Sequence, residues 1–197
     1  MTAGNAKTAE PSLSHLVVPE RLFAQTPLVT ADGETITAED RFALMDLIHR
    51  FEWCVGSRHK EAFTTLFADD AVFDHAVGYA RGKQEAVDLA WTVPSYGLRH
   101  LFANHVPFID EQGRLCMISH ILVIQAVSEQ PVSVPFPAIL DQGITRWVFQ
   151  KQNGVWKFAE IVFEQHKLAA FVGAPESLYR AMAQTPAQRA ADRATAS

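Results

Sequence analysis

Apolar residues recur at two periods along this chain, and the change of period divides it. Leu44, Ile48, Phe51 and Val55 return every three or four residues, the spacing of one helical face. Thr37, three residues before Asp40, supplies the N-cap pattern that opens this helix, and Gly56-Ser57 closes it. Ser57 is placed to cap a second helix over 58–67, with Ala62, Phe63, Leu66 and Phe67 on its apolar side. Residues 71–79 read as a strand. Residues 83–93 return to the helical period with Ala86, Val87, Ala90 and Trp91 inward, and Pro94 stops them.

Beyond Pro94 the pattern is that of strands, over 98–109, 115–127, 139–151 and 155–166. Two joints carry hairpin signals: Asp110-Glu111-Gln112-Gly113, and Asn153-Gly154, which favours a type I′ turn. The proline-bearing segment 128–137 reads as a loop. Helices first and antiparallel strands after is an α+β arrangement. The expected architecture is a curved antiparallel sheet wrapped around three N-terminal helices, with an internal cavity. Residues 1–36 read as an N-terminal arm without a core of its own, although Leu16-Val17-Val18 and Leu22-Phe23 suit packing along the domain or a neighbouring subunit. The domain then spans 37–172. Residues 173–197 hold a short helix (175–182) and an alanine-rich polar tail expected to be disordered.

Composition narrows the function classes. The 197 residues suit one domain, with 48% apolar and 20% charged side chains. The net charge is −5 and the basic residues do not cluster, so neither nucleic acid nor an anionic membrane is an expected partner. No apolar run approaches the roughly 18 residues that span a bilayer. The first fifteen residues lack a secretory pattern, which points to the cytoplasm. Cys54 and Cys116 form no disulfide or zinc pattern. The histidines show neither HxH nor HExxH spacing, and no phosphate loop, dinucleotide fingerprint or nucleophile elbow is present, so neither metal nor cofactor is expected.

Leu98, His100, Phe102 and Asn104 share one strand face, because side chains alternate with period two. His105 has the opposite parity. A histidine at position 100 suits proton transfer, since its ordinary pKa lies near neutrality, while His105 is expected away from the cavity. His75, at a strand end, is a second candidate. Trp53, Trp91, Tyr96, Phe102 and Trp147 either line the cavity or pack the core, and Phe51 and Ile161 point inward from their own elements. On the last strand Ala159, Ile161 and Phe163 alternate with Glu160, Glu164 and His166, and the apolar set is expected inside.

The segments LFADDAVFD, ARGKQEA, RHLFAN and NGVWKF, in this order, resemble the SnoaL-like branch of the nuclear-transport-factor-2-like superfamily. Scytalone dehydratase, polyketide cyclases and a hexachlorocyclohexane dehydrochlorinase belong to that superfamily. The resemblance covers about residues 38–170 and implies the cystatin-like cone. It implies that His100 is the general base and that His75 falls where scytalone dehydratase carries a tyrosine. It also exposes a departure: the aspartate that orients the base in those enzymes is replaced here by Gly56. Glu52, one turn earlier, is a candidate replacement, and Glu52, His75 and Tyr96 are candidates to orient the base or donate a proton. Asp74 is a weaker choice, because strand parity separates it from His75.

The resemblance implies a cofactor-independent acid–base enzyme, a dehydratase or lyase or else a cyclase or isomerase, acting on a small hydrophobic molecule, aromatic or polycyclic. The rival is a non-catalytic ligand-binding or assembly subunit, like the small subunits of ring-hydroxylating dioxygenases. A homodimer or homotrimer is the expected assembly.

Overall fold

The computed structural model describes residues 20–23, 27–92, 98–125, 138–169 and 173–196. Tyr96, the loop over 128–137 and the Leu16-Val17-Val18 patch lie outside them. Helix α1 (Ala38–Gly56) opens as its spacing predicts. Thr37 Oγ1 accepts from the Asp40 N–H at 3.1 Å while Asp40 Oδ2 accepts from the Thr37 N–H at 3.0 Å. The Trp156 indole donates to the other Asp40 oxygen at 2.9 Å. The Thr37 backbone and then these side-chain donors hold the Asp40 carboxyl far below the usual carboxylate range, against the opposing effect of burial. Thr37→Ala is expected to lower stability by about 1 kcal/mol, read from urea unfolding.

Helix α2 (Lys60–Thr64) is shorter than expected. His59 caps it, Nδ1 accepting from the Ala62 N–H at 3.3 Å. Ser57 serves α1 instead, its hydroxyl donating back to the Trp53 carbonyl. The expected strand over 71–79 is a hairpin of β1 (Phe67–His75) and β2 (Gly78–Arg81). After α3 (Lys83–Thr92) come β3 (Leu98–Ile109), β4 (Leu115–Gln125), β5 (Ala138–Gln152) and β6 (Val155–Leu168). Asn153 and Gly154 both have positive φ, 53° and 76°, which a type I′ turn between β5 and β6 requires.

The six strands form one sheet in the order β2-β1-β6-β5-β4-β3. It is mixed rather than wholly antiparallel. β3 to β6 pair as successive antiparallel neighbours, but β1 lies parallel to β6. Without β1, the outer edge of β6 would leave backbone donors and acceptors unpaired. Helix α1 lays its apolar stripe across the concave side. There the Phe51 ring meets Phe63, Trp147 and Phe158 at centroid distances of 5.0, 5.4 and 5.8 Å.

The ends of the chain depart most from expectation. Leu28 and Ile36, within the segment expected to be an arm, are buried in the main core, and Leu22 packs on a smaller cluster around Phe108 and Cys116 on the other side of the sheet. The tail expected to be disordered is helical: α4 (Glu176–Ala183) is followed by α5 (Pro186–Ala196). Thr185 and Gln188 form a reciprocal cap for α5, and Arg189 anchors it. The Arg189 side chain is only 5% exposed and donates to Asp74 Oδ1 at 3.1 Å, the Phe163 carbonyl at 2.6 Å and the Gln184 carbonyl at 2.9 Å. Arg193 adds a contact over the Tyr79 ring, 4.5 Å to its centroid. Composition misled here because one buried cation, rather than an apolar stripe, fastens the helix.

Candidate functional site

A cavity of about 410 Å³ opens between α4 and the sheet, lined by residues of β1, β6, β5, β4 and β3. Its sheet wall includes Leu98, Ile121, Val123 and Phe163, and α4 closes it with Leu178 and Met182. His75, His100 and Asp141 reach it, with Gln125 as a further polar group. A pocket of about 30 Å³ lies behind His75, His100 and Phe163 and reaches Phe51. A larger groove, about 570 Å³, passes Asp70, Arg114, Lys151 and Glu160. It is an open surface feature whose charges largely pair with one another, as Arg114 and Glu160 do at 2.9 Å.

Strand irregularities decide which side chains enter the cavity. Gly143 pairs with His166 and Thr145 with Phe163, so β6 spends one residue more than β5 between those rungs. Such a bulge shifts the alternation by one. His166, outward by simple parity, therefore joins Phe163 on the concave side. Its partner across the ladder, Gly143, carries no side chain, which leaves room for the ring. Asp141 pairs with Leu168 and sits diagonally from His166, within side-chain reach. Asp141 Oδ2 lies 2.7 Å from His166 Nδ1. The carboxylate can only accept, so the ring proton of a neutral His166 sits on Nδ1.

His100 Nδ1, Asp141 Oδ1 and His166 Nε2 are all sealed from solvent without a hydrogen-bond partner among the described residues. Buried polar atoms are nearly always paired, to protein or to water, so three such atoms in one neighbourhood single it out as a candidate site. Burial pushes the His100 pKa down to about 4; the Asp141 carboxylate opposes that shift, and His166 adds to it. His75 accepts the Val77 backbone N–H on Nδ1 at 3.1 Å, which leaves its proton on Nε2. Burial, followed by the fields of His166, Arg189 and His100, holds the His75 pKa well below its ordinary value. The rings of His75 and His166 are 6.2 Å apart.

These shifts fix a pH dependence of stability. Both folded pKa values lie below the unfolded value near 6.5, so in mild acid the unfolded chain binds protons that the folded one does not. Stability from this source is complete above about pH 6.5 and falls as the pH descends, levelling off for His100 near pH 4. The His100 contribution is about 3 kcal/mol at most. Urea midpoints between pH 7.5 and 4.5 are expected to fall more steeply for the native chain than for His100→Asn.

The remaining sequence candidates are scattered. Trp53 is 72% exposed and faces solvent, not the cavity. Asn104 is the bulge residue of β3, at φ 56°, and bonds His120 Nδ1 at 2.9 Å on the surface. The same bulge turns His105 onto the concave side, where it meets Ser119 Oγ at 2.7 Å and the His49 ring, away from the cavity. Phe102, Trp147 and Ile161 pack in the core, the Trp147 indole donating to Ser119 Oγ at 3.0 Å. Trp91 packs on Phe63 under the Arg58 guanidinium. Ala159 joins the outer cluster rather than the cavity, because β6 bulges there too. Glu52 stays on α1, where burial raises its pKa against the fields of His49 and Arg99. Asp74 is taken by Arg189.

A Cβ built on Gly56 would come within 3.9 Å of Arg99 Nη1 and 4.0 Å of the Leu98 carbonyl, so the seat of the missing aspartate is open and lies beside β3. The carboxylate that acts on His100 comes from β5. Sequence reasoning missed Asp141 and His166. The one available signal was Gly143 inside a strand, which marks a bulge or a close approach. Among the described residues no group of three or more His, Cys, Asp or Glu side chains is arranged to hold a metal ion, and no helix is long and apolar enough to cross a membrane.

Similar architectures occur in solved structures. A protein of unknown function with a cystatin-like fold from Nostoc punctiforme is 22% identical, with a TM-score of 0.55 over 66% of this chain and 92% of that one. LinA is 21% identical, with a TM-score of 0.52 over 70% and 95%. ActVI-ORFA of Streptomyces coelicolor is 15% identical, with a TM-score of 0.53 over 62% and 94%. At these identities the likeness is one of fold. No curated protein matches the chain. The profile of the SnoaL-like domain matches residues 36–162, which takes in His75, His100 and Asp141 and leaves His166 and the α4 wall outside. The chain belongs to the SnoaL-like domain family.

Proposed function

We propose that the protein is a cofactor-independent acid–base enzyme that removes a proton next to a carbonyl of a small hydrophobic substrate. The observation that carries this reading is the set of imidazoles and a carboxylate converging on one largely apolar cavity, with orphaned buried nitrogens. His100 is the base. It lines the cavity, is neutral at physiological pH, and takes the proton on Nε2 while Nδ1 keeps its own. Asp141 stabilises the imidazolium so formed, and His166 holds Asp141 in place. As the C–H bond breaks, its electron pair moves onto the carbonyl oxygen, which accepts a hydrogen bond from His75 Nε2–H. The enolate then either expels a β-substituent, as in a dehydratase or lyase, or regains the proton on another carbon, as in an isomerase.

A purely ligand-binding role would need no such convergence of polar groups. The test needs no knowledge of the natural product. In D2O the native chain is expected to catalyse exchange of the α-protons of a cyclic ketone, trans-1-decalone, followed by NMR. Exchange no faster than in buffer would overturn the assignment.

A further inference from the structure

The described cavity wall carries no cation and one carboxylate. We infer that the site selects uncharged, largely aliphatic molecules bearing a carbonyl or hydroxyl oxygen, and rejects carboxylates. The inference deepens the acid–base reading and rests on the cavity of that reading, not on turnover.

Three observations carry it. The cation closest in effect is Arg189, whose field reaches His75, yet its guanidinium is spent on Asp74, the Phe163 carbonyl and the Gln184 carbonyl. Among the described lining residues no Lys or Arg is left to meet an anionic substrate. Asp141, meanwhile, lines the cavity with Oδ1 unpaired and buried. A carboxylate entering here would lose its hydration and face a like charge at close range, both unfavourable in a poorly solvated site. The polar atoms on offer are a donor, His75 Nε2–H, and acceptors on His100 and Asp141. They suit a neutral molecule with a carbonyl or a hydroxyl.

The described walls are largely aliphatic. Leu98, Ile121, Val123, Leu140, Leu178 and Met182 are aliphatic, and Phe163 is the one aromatic hydrocarbon ring among the described lining residues. Trp147, Phe102 and Phe51, which the sequence offered as cavity-lining candidates, pack edge to face on one another in the core. A ligand therefore meets mostly branched aliphatic chains, beside the rings of Phe163, His75 and His100. About 410 Å³ lies within the range of small-molecule pockets. Leu178 and Met182, which bound the cavity on one side, come from α4, beyond the segment 36–162 that matches the family.

Calorimetric titration of the full chain at pH 7.5 with two probes tests the inference: trans-1-decalone and the corresponding decahydronaphthalene-1-carboxylate. Decalone is expected to bind at least ten-fold more tightly than the carboxylate. Met182→Trp, which fills the cavity from α4, is expected to weaken decalone by ten-fold or more. Leu178→Phe serves the same purpose if the first variant loses its cooperative unfolding transition. Equal or tighter binding of the carboxylate would overturn the inference, as would no binding of decalone or binding unchanged in a folded variant. Selective decalone binding without α-proton exchange would remove the catalytic reading and leave the selectivity standing.

Discussion

His100→Ala is expected to slow exchange of decalone α-protons by about 10²–10⁴-fold, equivalent to about 3–5 kcal/mol of transition-state stabilisation. The fold should survive, because His100 lines a cavity and Nδ1 makes no hydrogen bond among the described residues. His100→Gln, which keeps bulk without a base, should lose as much. The pH profile of the native chain tests the assignment independently. Exchange should fall on an acid limb centred near pH 4, where the imidazole becomes protonated. Asp141→Asn removes the charge that favours protonation, so its limb should move to lower pH and its plateau should drop. An unchanged limb in a folded Asp141→Asn protein would show that Asp141 does not act on the base. A native chain and His100→Ala exchanging at the same rate would remove His100 from the mechanism altogether.

Arg189→Met is expected to destabilise the protein by about 3–5 kcal/mol, because it strands the Asp74 carboxylate inside the fold. Asp74 is 6% exposed, and its other cation, Arg193, is 3.5 Å away and itself partly exposed, which places the loss towards the lower end of that range. The Phe163 and Gln184 carbonyls lose their donor in the same step. The effect is local before it is global. Helices α4 and α5 should exchange their amide hydrogens faster, and decalone affinity should fall with the loosening of Leu178 and Met182. Replacing both partners, Asp74→Leu with Arg189→Met, should recover much of the stability, since an apolar pair leaves no orphaned charge. A single variant within 1 kcal/mol of the native chain in urea would mean that α5 is held by something other than this ion pair.

The sequence carried the layout of the fold well where one local rule governs. Thr37 and Asp40, the stripe of α1, the bounds of β3 and the Asn153-Gly154 turn depend on neighbours a few residues away, and the structure has them as read. The parallel β1–β6 pairing and the docking of α5 depend on partners about 90 to 115 residues distant, and no periodicity announces them. The site divides in the same way. His75 and His100 were legible because they follow simple alternation on otherwise regular strand segments. Asp141 and His166 were not, because a bulge beside each resets the alternation; Trp53 and Asn104 were misplaced for related reasons of helix phase and bulge. Position 56 carries no carboxylate, and Asp141, the one proposed to act on His100, comes from β5, where Gly143 was the single local signal.

The extra residue in β6 between Phe163 and His166 works like a frameshift in the pleat. Removing one residue there would leave the composition, the hydrophobic pattern and the fold class almost unchanged, yet it would rotate the imidazole of His166 to the outside and strip Asp141 of its partner. A scaffold of this kind can therefore gain or lose a positioning group by a single insertion or deletion, with no substitution at any other position of the site. Two family members could then share every residue of the site and still hold different pockets, and a comparison made column by column would not tell them apart.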